Sequence, residues 1–246
     1  MKLYGLIGFP LSHSFSKEYF TKKFQREGIT DCRYELFPIP DIGEFPSLIE
    51  KNPQLAGINI TIPYKQSVLQ YVDDRSHLPA GLEACNCIKI VNGKKFGFNT
   101  DVVGFEKSFA SKWKPTQRKA LILGTGGASL AVQFVLKKMG IEFKLVGRKN
   151  RELGYEDLTE QIIRDHTVII NATPLGTYPK TQEFPNIPYQ ALGANHYVYD
   201  LIYNPSKTVF LQKAEENGAT IQNGSDMLAI QAEESWRIWN ESEEHF

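Results

Sequence analysis

The sequence feature that most constrains the fold is a glycine-rich turn near the middle of the chain. The segment Gly124-Thr-Gly-Gly-Ala-Ser129 directly follows an apolar, strand-like run and opens a helical stretch. Gly124 permits a tight turn, Gly126 leaves the backbone open to a pyrophosphate, and Ser129 is small enough for close helix–strand packing. The start of such a helix presents unpaired N–H groups to phosphates. The segment therefore predicts a dinucleotide site, and the alternative is a plain tight turn.

Strand-like and helical stretches alternate regularly around this turn. Strands are predicted at 119–123, 142–146, 167–171, 197–200 and 220–222, and helices at 129–139, 207–216 and 226–239. Such alternation is typical of a parallel, doubly wound sheet with helices on both faces. The second half of the chain is therefore predicted to be a Rossmann-like domain.

The first half of the chain mixes β/α units with an antiparallel hairpin. Strands are predicted at 2–8, 33–38 and 57–62, and helices at 14–27, 41–51, 64–71 and 101–113. Asn92-Gly93 separates two apolar alternations at 87–91 and 94–98. This dipeptide predicts a hairpin, because both turn positions need a positive φ. The first half is therefore predicted to be a mixed α/β domain.

Composition and charge exclude several classes of protein. The 246 residues include 28 basic and 28 acidic side chains, so the net charge is zero and no overall field favours a nucleic acid or an anionic membrane. No apolar run approaches the roughly 20 residues of a membrane span, and the N-terminus predicts no signal peptide. Three cysteines form neither a disulfide framework nor a zinc pattern. A protein of the reducing cytoplasm without a metal site is expected.

The residues after the strand at 142–146 discriminate between dinucleotides. NAD sites commonly place an acidic residue about 20 positions after the first glycine, where it binds the ribose 2′-hydroxyl. Here the corresponding segment reads Gly147-Arg-Lys-Asn-Arg151 and contains no acid. Arg148 and Lys149 suit a 2′-phosphate, which a guanidinium can bind with two hydrogen bonds. The segment favours NADP, and the alternative is a solvated basic loop.

Four polar clusters lie where strands of the first half end: Gly8–Ser16, Asn59–Lys65, Ala84–Asn86 and Phe98–Asp101. Ligands of open α/β sheets bind at strand ends, so these clusters are candidate binding segments. Each has a structural alternative. Ser14, Ser16 or Asp101 can cap a helix, Lys65 can be a solvated lysine, and Asn86 can be a turn residue.

Together these segments resemble the shikimate dehydrogenase family, in order from residue 5 to about residue 235. Asn59-Ile-Thr-Ile-Pro-Tyr-Lys65 and Asn99-Thr-Asp101 are similar to signatures of that family, as is the glycine-rich turn. Three further segments match as well: Asn171-Ala-Thr-Pro-Leu-Gly176, Asp200-Leu-Ile-Tyr-Asn-Pro205 and Met227-Leu-Ala-Ile-Gln231.

The resemblance implies NADP-linked interconversion of shikimate and 3-dehydroshikimate in aromatic amino-acid and chorismate biosynthesis. It implies a substrate domain at 1–101, completed by the helix at 226–246, an NADP-binding domain at 102–225, and a cleft between them. The implied catalytic pair is Lys65 and Asp101. The implied substrate-binding residues are Ser14, Ser16, Asn59, Thr61, Asn86, Tyr203 and Gln231. The implied cofactor-binding residues are Gly124, Thr125, Gly126, Gly127, Ala128, Ser129, Arg148, Lys149 and Gly224.

The sequence departs from the family pattern in three places. The helix start after Ser16 lacks the usual proline and His-Asn pair, the usual Ala-Val-Asn-Thr is Ala84-Cys-Asn-Cys87, and the usual Asn-Arg-Thr is Gly147-Arg-Lys149. Arg148 is kept, so NADP preference is expected to rest on it, with help from Lys149 or Arg151.

The chemistry of the predicted pair fits a ketone reduction. Hydride transfer leaves charge on the ketone oxygen, and Lys65 can both stabilise that charge and supply the proton. Asp101 is expected to orient the lysine and exchange protons with it. His13 is expected to be structural, and Trp236 and Trp239 to be packing residues.

Three alternatives stay open. One is a quinate/shikimate dehydrogenase with broader substrate or NAD use, since quinate differs from shikimate by little more than an extra hydroxyl. A non-catalytic NADP-binding regulator would have kept the fold but not needed Lys65 or Asp101. A methylene-folate dehydrogenase would share the two-domain layout but not the serine cluster. A monomer or a homodimer is expected.

Overall fold

The structure is a computed structural model that describes residues 1–11, 14–148 and 152–242. The strands are β1 Lys2–Gly8, β2 Cys32–Pro38, β3 Leu55–Ile60, β4 Cys87–Val91, β5 Lys94–Phe98, β6 Lys119–Leu123, β7 Glu142–Val146, β8 Val168–Asn171, β9 Tyr197–Asp200 and β10 Thr220–Gln222. The α-helices are α1 Phe15–Glu27, α2 Phe45–Lys51, α3 Thr100–Ala110, α4 Gly127–Lys138, α5 Glu160–Asp165, α6 Val209–Glu216 and α7 Ser225–Asn240. Short 3-10 helices cover Ile42–Glu44, Ser67–Tyr71, Tyr155–Asp157 and Tyr189–Ala191.

The chain forms two compact units, here called the first and the second domain. The first domain contains Met1–Thr100 and Ala232–Phe246, and the second contains Asp101–Gln231. The helix at 226–246 is predicted to complete the first domain, whereas the observed division falls inside α7, between Gln231 and Ala232. The beginning of α7 packs on α3, since a Cβ added at Gly104 would lie 2.6 Å from the Met227 carbonyl oxygen. That close helix–helix contact holds the first turns of α7 in the second domain.

The first domain is built on a five-stranded mixed sheet in the order β2-β1-β3-β4-β5. Strand β1 runs parallel to β2 and β3, whereas the pairs β3–β4 and β4–β5 are antiparallel. The predicted hairpin joins β4 to β5 through Asn92 and Gly93, whose φ angles are +50° and +80°. Positive φ at both positions is what this turn requires, so the hairpin predicted from the dipeptide is confirmed.

The end of α7 packs onto this sheet through an aromatic cluster. The Trp239 ring stacks on Tyr4 of β1 at 4.8 Å between centroids, and its indole N–H donates to the Ile88 carbonyl at 3.0 Å. The buried ammonium of Lys89 donates to the Glu241 carbonyl at 2.6 Å, just beyond the last helical turn. A cation at the C-terminal end of a helix is favourable, because unpaired carbonyls gather there. The expected packing role of Trp239 is confirmed.

The second domain contains a five-stranded, fully parallel sheet in the order β10-β9-β8-β6-β7. Strands β8 and β9 are buried at every position, as expected for a sheet covered on both faces. The strand order reverses at β6, which has β7 on one side and β8 on the other. Ligands of such sheets bind at the carboxyl ends of the strands flanking this reversal. The predicted mixed domain and Rossmann-like domain are both confirmed.

Element boundaries differ from the predictions mainly around β3. The strand covers Leu55–Ile60 rather than 57–62, and the predicted helix at 64–71 is a 3-10 helix at Ser67–Tyr71. Pro63 lies between the two, so the segment that follows β3 cannot continue its ladder. This difference matters because Lys65 lies in the irregular segment and not on a helix.

Two features are absent from residues 1–11, 14–148 and 152–242. None of the helices there combines the length and the apolar character needed to cross a bilayer. No group of three or more His, Cys, Asp or Glu side chains in the same part of the chain is arranged to hold a metal ion.

We predict that Gly57→Ala weakens the packing of α7 on the first domain. An added Cβ would lie 2.7 Å from Trp239 Cε2 and closer still to Nε1 and Cδ1, so the buried indole has to move. Overpacking of this kind costs about 1–3 kcal/mol of unfolding free energy. Urea unfolding followed by tryptophan fluorescence measures the loss. Gly193→Ala is the matched control, because its Cβ would meet no atom within 4 Å. Equal stability of the two variants would contradict the assignment.

Candidate active site

A cavity of about 800 Å³ opens at the carboxyl ends of β6, β7 and β8 in the second domain. It is lined by Gly124, Thr125, Gly126, Gly147, Arg148, Tyr155, Ala172, Thr173, Pro174 and Leu175. These residues come from the three loops that follow the three strands around the reversal of strand order. The volume lies in the range of small-molecule and cofactor pockets.

The glycine-rich turn forms one wall of the cavity, and its glycines have different roles. Gly124 has a φ of +104°, and a Cβ there would lie 2.9 Å from Thr173 Cγ2, so a side chain would clash with the neighbouring loop. Gly126 precedes α4 as its N-cap, and a Cβ there would meet no atom within 4 Å. The backbone before α4 is therefore open on the side where a phosphate can approach its N–H groups.

The structure separates the predicted cofactor residues into two groups. Gly124, Thr125, Gly126 and Arg148 line the cavity, whereas Gly127, Ala128, Ser129 and Gly224 are absent from its described lining. The Ser129 hydroxyl donates to the Gly126 carbonyl at 2.7 Å and so holds the turn from inside. Gly224 packs so closely on Leu201 that a Cβ would lie 2.7 Å from its carbonyl carbon. Lys149, Arg151 and His13 lie outside the described residues.

A buried chain of hydrogen bonds positions the opposite wall. The Asn171 side chain accepts from the Thr173 hydroxyl at 2.6 Å and donates to the Asp200 carboxylate at 3.0 Å. Asp200 is fully buried and also accepts from the Thr208 hydroxyl at 2.6 Å and the Ile202 N–H at 3.1 Å. The loop that carries Thr173 and Leu175 into the cavity is thus held by groups on β8, β9 and the segment before α6.

Tyr155 and the loop at 172–175 line the cavity, although neither is predicted from the sequence to bind the cofactor. Tyr155 packs partly against the domain core, and its hydroxyl is buried without a hydrogen-bond partner among the described residues. Its segment is pinned to the end of β7, since the Gly147 N–H donates to the Leu153 carbonyl at 3.1 Å. The family segment at 171–176 marked the loop after β8, whereas no local signal pointed to Tyr155.

The cavity fits a dinucleotide with a phosphate on its ribose. Gly126 leaves room at the start of α4, and the exposed Arg148 supplies the cation after β7. The described lining contains no acidic side chain, so no like charge opposes a phosphate group there.

Ser14 and Ser16 lie at the start of α1 in the first domain. Ser14 occupies the N-cap position, but its hydroxyl makes no capping hydrogen bond. That hydroxyl is buried and has no partner among the described residues. The capping alternative is therefore not observed for Ser14, and its hydroxyl stays a predicted binding group.

Lys65 lies in a segment that is fixed by hydrogen bonds on both sides. The Cys85 N–H donates to the Lys65 carbonyl at 2.7 Å, and the Tyr64 hydroxyl donates to the Ile39 carbonyl at 2.7 Å. The preceding Thr61 N–H donates to the Ile7 carbonyl at 2.9 Å. The half-buried Lys65 side chain thus projects from a backbone that β1 and the segment before β4 hold in place.

Asn59 and Asn86 are buried and joined by one hydrogen-bond network in the first domain. Asn59 donates to the Ser235 hydroxyl at 2.9 Å, and that oxygen lies 3.3 Å from the Thr100 hydroxyl. Asn86 donates to the Thr100 hydroxyl at 3.0 Å and accepts from its backbone N–H at 2.6 Å. Buried amides fixed in this way present a single orientation of donors and acceptors to a ligand.

The remaining predicted site residues belong to the second domain. Asp101 is buried in the first turn of α3, where the N-terminal end of the helix favours a carboxylate. Tyr203 is half-buried, and burial raises the pKa of its hydroxyl. Gln231 lies on α7 and donates to the Leu228 carbonyl at 3.0 Å.

Comparisons with known proteins match nearly the whole chain. A family model described as the shikimate dehydrogenase substrate binding domain matches residues 6–88. A protein of Caldicellulosiruptor saccharolyticus named shikimate dehydrogenase (NADP(+)) is 34% identical and covers 97% of this chain and 92% of its own length. This chain belongs to the shikimate dehydrogenase family.

Solved structures of this family share the fold. The shikimate dehydrogenase of Aquifex aeolicus is 32% identical, with a TM-score of 0.86 over 99% of this chain and 94% of that one. The Thermus thermophilus enzyme, solved in complex with NADP(H) and shikimate, is 27% identical, with a TM-score of 0.84 over 98% of this chain and 94% of that one. The family resemblance inferred from the sequence is confirmed.

We predict that Asp200 makes the stability of the protein depend on pH. Burial raises the pKa of its carboxyl from 3.8 to about 6, although three hydrogen bonds oppose the shift. The unfolded chain releases this proton near pH 4 and the folded chain only near pH 6. The free energy of unfolding therefore falls as pH rises across this window, by about 3 kcal/mol from this group.

Urea unfolding between pH 4 and 7 tests this expectation with Asp200→Asn, which removes the titrating group. The difference in unfolding free energy between wild type and variant should change by about 3 kcal/mol between pH 4 and pH 6. Asp165→Asn, an exposed aspartate on α5, is the control. Parallel profiles for wild type and Asp200→Asn would contradict the role of Asp200.

Proposed function

We propose that this chain is a shikimate dehydrogenase that catalyses the reversible, NADPH-dependent reduction of 3-dehydroshikimate to shikimate. The observation that carries the proposal is the relationship to named shikimate dehydrogenases over 97% of the chain, with Lys65 and Asp101 both present. The predictions of an oxidoreductase and of NADP as its cofactor are confirmed by the names of these relatives.

The residues of the first domain suit a small polyhydroxylated acid. Ser14 offers a hydroxyl that has no partner among the described residues, at the start of α1, where the helix N-terminus also favours a carboxylate. Asn86 and Thr61 are neutral groups that can each pair with a hydroxyl of the ring. A substrate analogue that lacks one of these hydroxyls would leave a buried polar group unpaired, at a cost of about 1–3 kcal/mol.

The proposed chemistry divides between Lys65 and Asp101. The nicotinamide supplies or accepts the hydride when the cofactor is bound. In the reduction, the Lys65 ammonium stabilises the negative charge that develops on the ketone oxygen and delivers a proton to it. In the oxidation, Lys65 takes the proton from the hydroxyl. Asp101 orients the lysine and exchanges protons with it.

The cavity of the second domain is the proposed NADP site. The turn at Gly124, Thr125 and Gly126 would hold the pyrophosphate, with the Gly126 N–H as a donor, because the Gly124 N–H already donates to the Val146 carbonyl at 2.7 Å. Arg148 would bind the 2′-phosphate. The loop fixed by Asn171 and Asp200 would close the other side. Gly127, Ala128, Ser129, Lys149 and Gly224 stay predictions as cofactor residues, as do Tyr203 and Gln231 as substrate residues.

Two alternatives remain relevant to the assay. Quinate differs from shikimate by small features that the described residues do not discriminate, and NAD lacks the phosphate that Arg148 would bind. A non-catalytic regulator would bind NADP without turnover. Cytoplasmic location and a monomeric or homodimeric state also stay predictions.

We predict that Lys65→Ala lowers the turnover number for shikimate and NADP+ by at least about 100-fold, the usual contribution of general acid–base catalysis. Binding should be largely kept, because the serines and asparagines are unchanged. Nicotinamide absorbance measures turnover, and the rise in melting temperature on adding shikimate measures binding. Lys22→Ala, an exposed lysine on α1, is the control. Unchanged turnover in Lys65→Ala would exclude the proposed role.

The same assay decides between the alternatives when shikimate or quinate is paired with NADP+ or NAD+. Fast turnover confined to shikimate and NADP+ supports the proposal. Comparable rates with quinate or NAD+ indicate the broader-specificity enzyme. Binding of NADP+ without turnover of either acid indicates the regulator.

We predict that Arg148→Ala raises the KM for NADP+ by about 10- to 100-fold and leaves the KM for NAD+ nearly unchanged. The range corresponds to a hydrogen bond to a charged group, worth about 1.5–3 kcal/mol. Initial rates at saturating shikimate give both constants. Arg164→Ala removes an exposed arginine of α5 and serves as the control. An equal rise for both dinucleotides would place Arg148 away from the 2′-phosphate.

A further inference from the structure

The hydroxyl of Tyr34 contacts Asn59, a predicted substrate-binding residue of the first domain. Tyr34 lies on β2 and is 3% exposed. Its hydroxyl donates to the Asn59 side-chain oxygen at 3.0 Å. Tyr34 on β2 and Asn59 on β3 come together because both strands pair with β1.

The Tyr34 hydrogen bond decides how the Asn59 amide is oriented. The Asn59 nitrogen donates to the Ser235 hydroxyl at 2.9 Å and to the Asn86 carbonyl at 3.3 Å. Both N–H groups therefore point away from Tyr34, and the Asn59 oxygen receives the phenolic hydrogen. If this donor is lost, the buried amide oxygen stays unpaired or the amide turns over and breaks both of its other hydrogen bonds.

The network continues from Asn59 to Asn86 through the C-terminal helix. Ser235 of α7 contacts the Thr100 hydroxyl, which in turn accepts from Asn86. A disturbance at Tyr34 can therefore reach Asn86 at the far end of the network. Networks of buried hydrogen bonds act as units in this way, because each group fixes the orientation of the next.

Tyr4 provides an internal comparison for Tyr34. The two residues are paired across β1 and β2, and both are buried in the same aromatic cluster. Tyr4 stacks on Trp239 at 4.8 Å and Tyr34 stacks on Phe20 at 4.6 Å. However, the Tyr4 hydroxyl has no hydrogen-bond partner among the described residues. Packing on this sheet thus does not require a hydrogen-bonded phenol. The hydrogen bond from Tyr34 to Asn59 is specific to the position of Tyr34.

We propose that Tyr34 is a positioning residue for the substrate: its hydroxyl holds the Asn59 amide in the orientation that binds the hydroxy acid. This inference rests on the proposed function. The Asn59 side-chain oxygen has a second lone pair, so it can accept a hydrogen bond from a substrate hydroxyl while Tyr34 still donates to it. Tyr34 thereby fixes the amide before the substrate arrives.

Tyr34→Phe tests the proposal, because it removes the hydroxyl and keeps the ring on Phe20. The KM for shikimate should rise about five- to tenfold, which corresponds to one net hydrogen bond. The turnover number should stay within about threefold, and the KM for NADP+ should not change. A merely structural defect would not separate these constants. Tyr4→Phe is the matched control and should leave all three constants as in the wild type.

The outcomes separate this inference from the proposed function. Wild-type turnover with the same KM for shikimate in all three proteins would overturn the role of Tyr34 alone. An equal rise in both variants would also overturn it, because the effect would then come from packing. A wild type that neither turns over shikimate nor gains melting temperature from it would overturn the proposed function and this inference together.

A second variant keeps the test decisive if Tyr34→Phe does not fold. Ser235→Ala removes the next link of the network, where Asn59 donates its 2.9 Å hydrogen bond. We expect the KM for shikimate to rise about threefold, again with an unchanged KM for NADP+. No change in a folded Ser235→Ala protein would contradict the network.

Discussion

The contact between the Trp239 indole and the bare backbone of Gly57 underlies the organisation of the first domain. The indole covers Tyr4 of β1, donates a hydrogen bond to β4, and leaves no room for a side chain on β3. The central strands of the sheet thus share one partner, which comes from the far end of the chain. The same helix carries Ser235 into the buried network of Asn59 and Asn86. The apolar packing of α7 and the polar groups nearest the candidate substrate site are therefore parts of one arrangement.

The second domain presents three loops at one edge of its parallel sheet. Gly124 allows the first loop to pass close to the third, where a Cβ would lie 2.9 Å from Thr173. The third loop is in turn anchored below the edge by Asn171 on the buried Asp200. A carboxylate in such a place is costly, and the three hydrogen bonds that it accepts offset part of that cost. The cavity keeps its shape because its walls are supported by groups that do not line it.

Features with a local signal were predictable from the sequence. Asn92-Gly93 places its hairpin correctly because the turn itself requires positive φ, and the glycine-rich turn marks the start of α4. The Tyr34–Asn59 hydrogen bond has no such signal, since the two residues are 25 positions apart and only the parallel pairing of β1 with β2 and β3 brings them together. Tyr155 could not be predicted as a cavity residue either, because no local sequence signal points to it. The division inside α7 could not be predicted either, because it depends on how Gly104 and Gly57 accept the two halves of one helix.

The return of α7 to the first domain has a consequence for the order of folding during synthesis. Residues 101–231 are contiguous, so the second domain has all of its chain once residue 231 has left the ribosome. The first domain has 100 of its residues much earlier, but Trp239 and Ser235 reach Tyr4 and Asn59 only after the whole second domain has been made. Contacts across such a sequence separation form slowly, since the loop between them must be closed first. The N-terminal sheet is therefore the first to be synthesised and the last to be completed, and its aromatic face stays uncovered until α7 has been made.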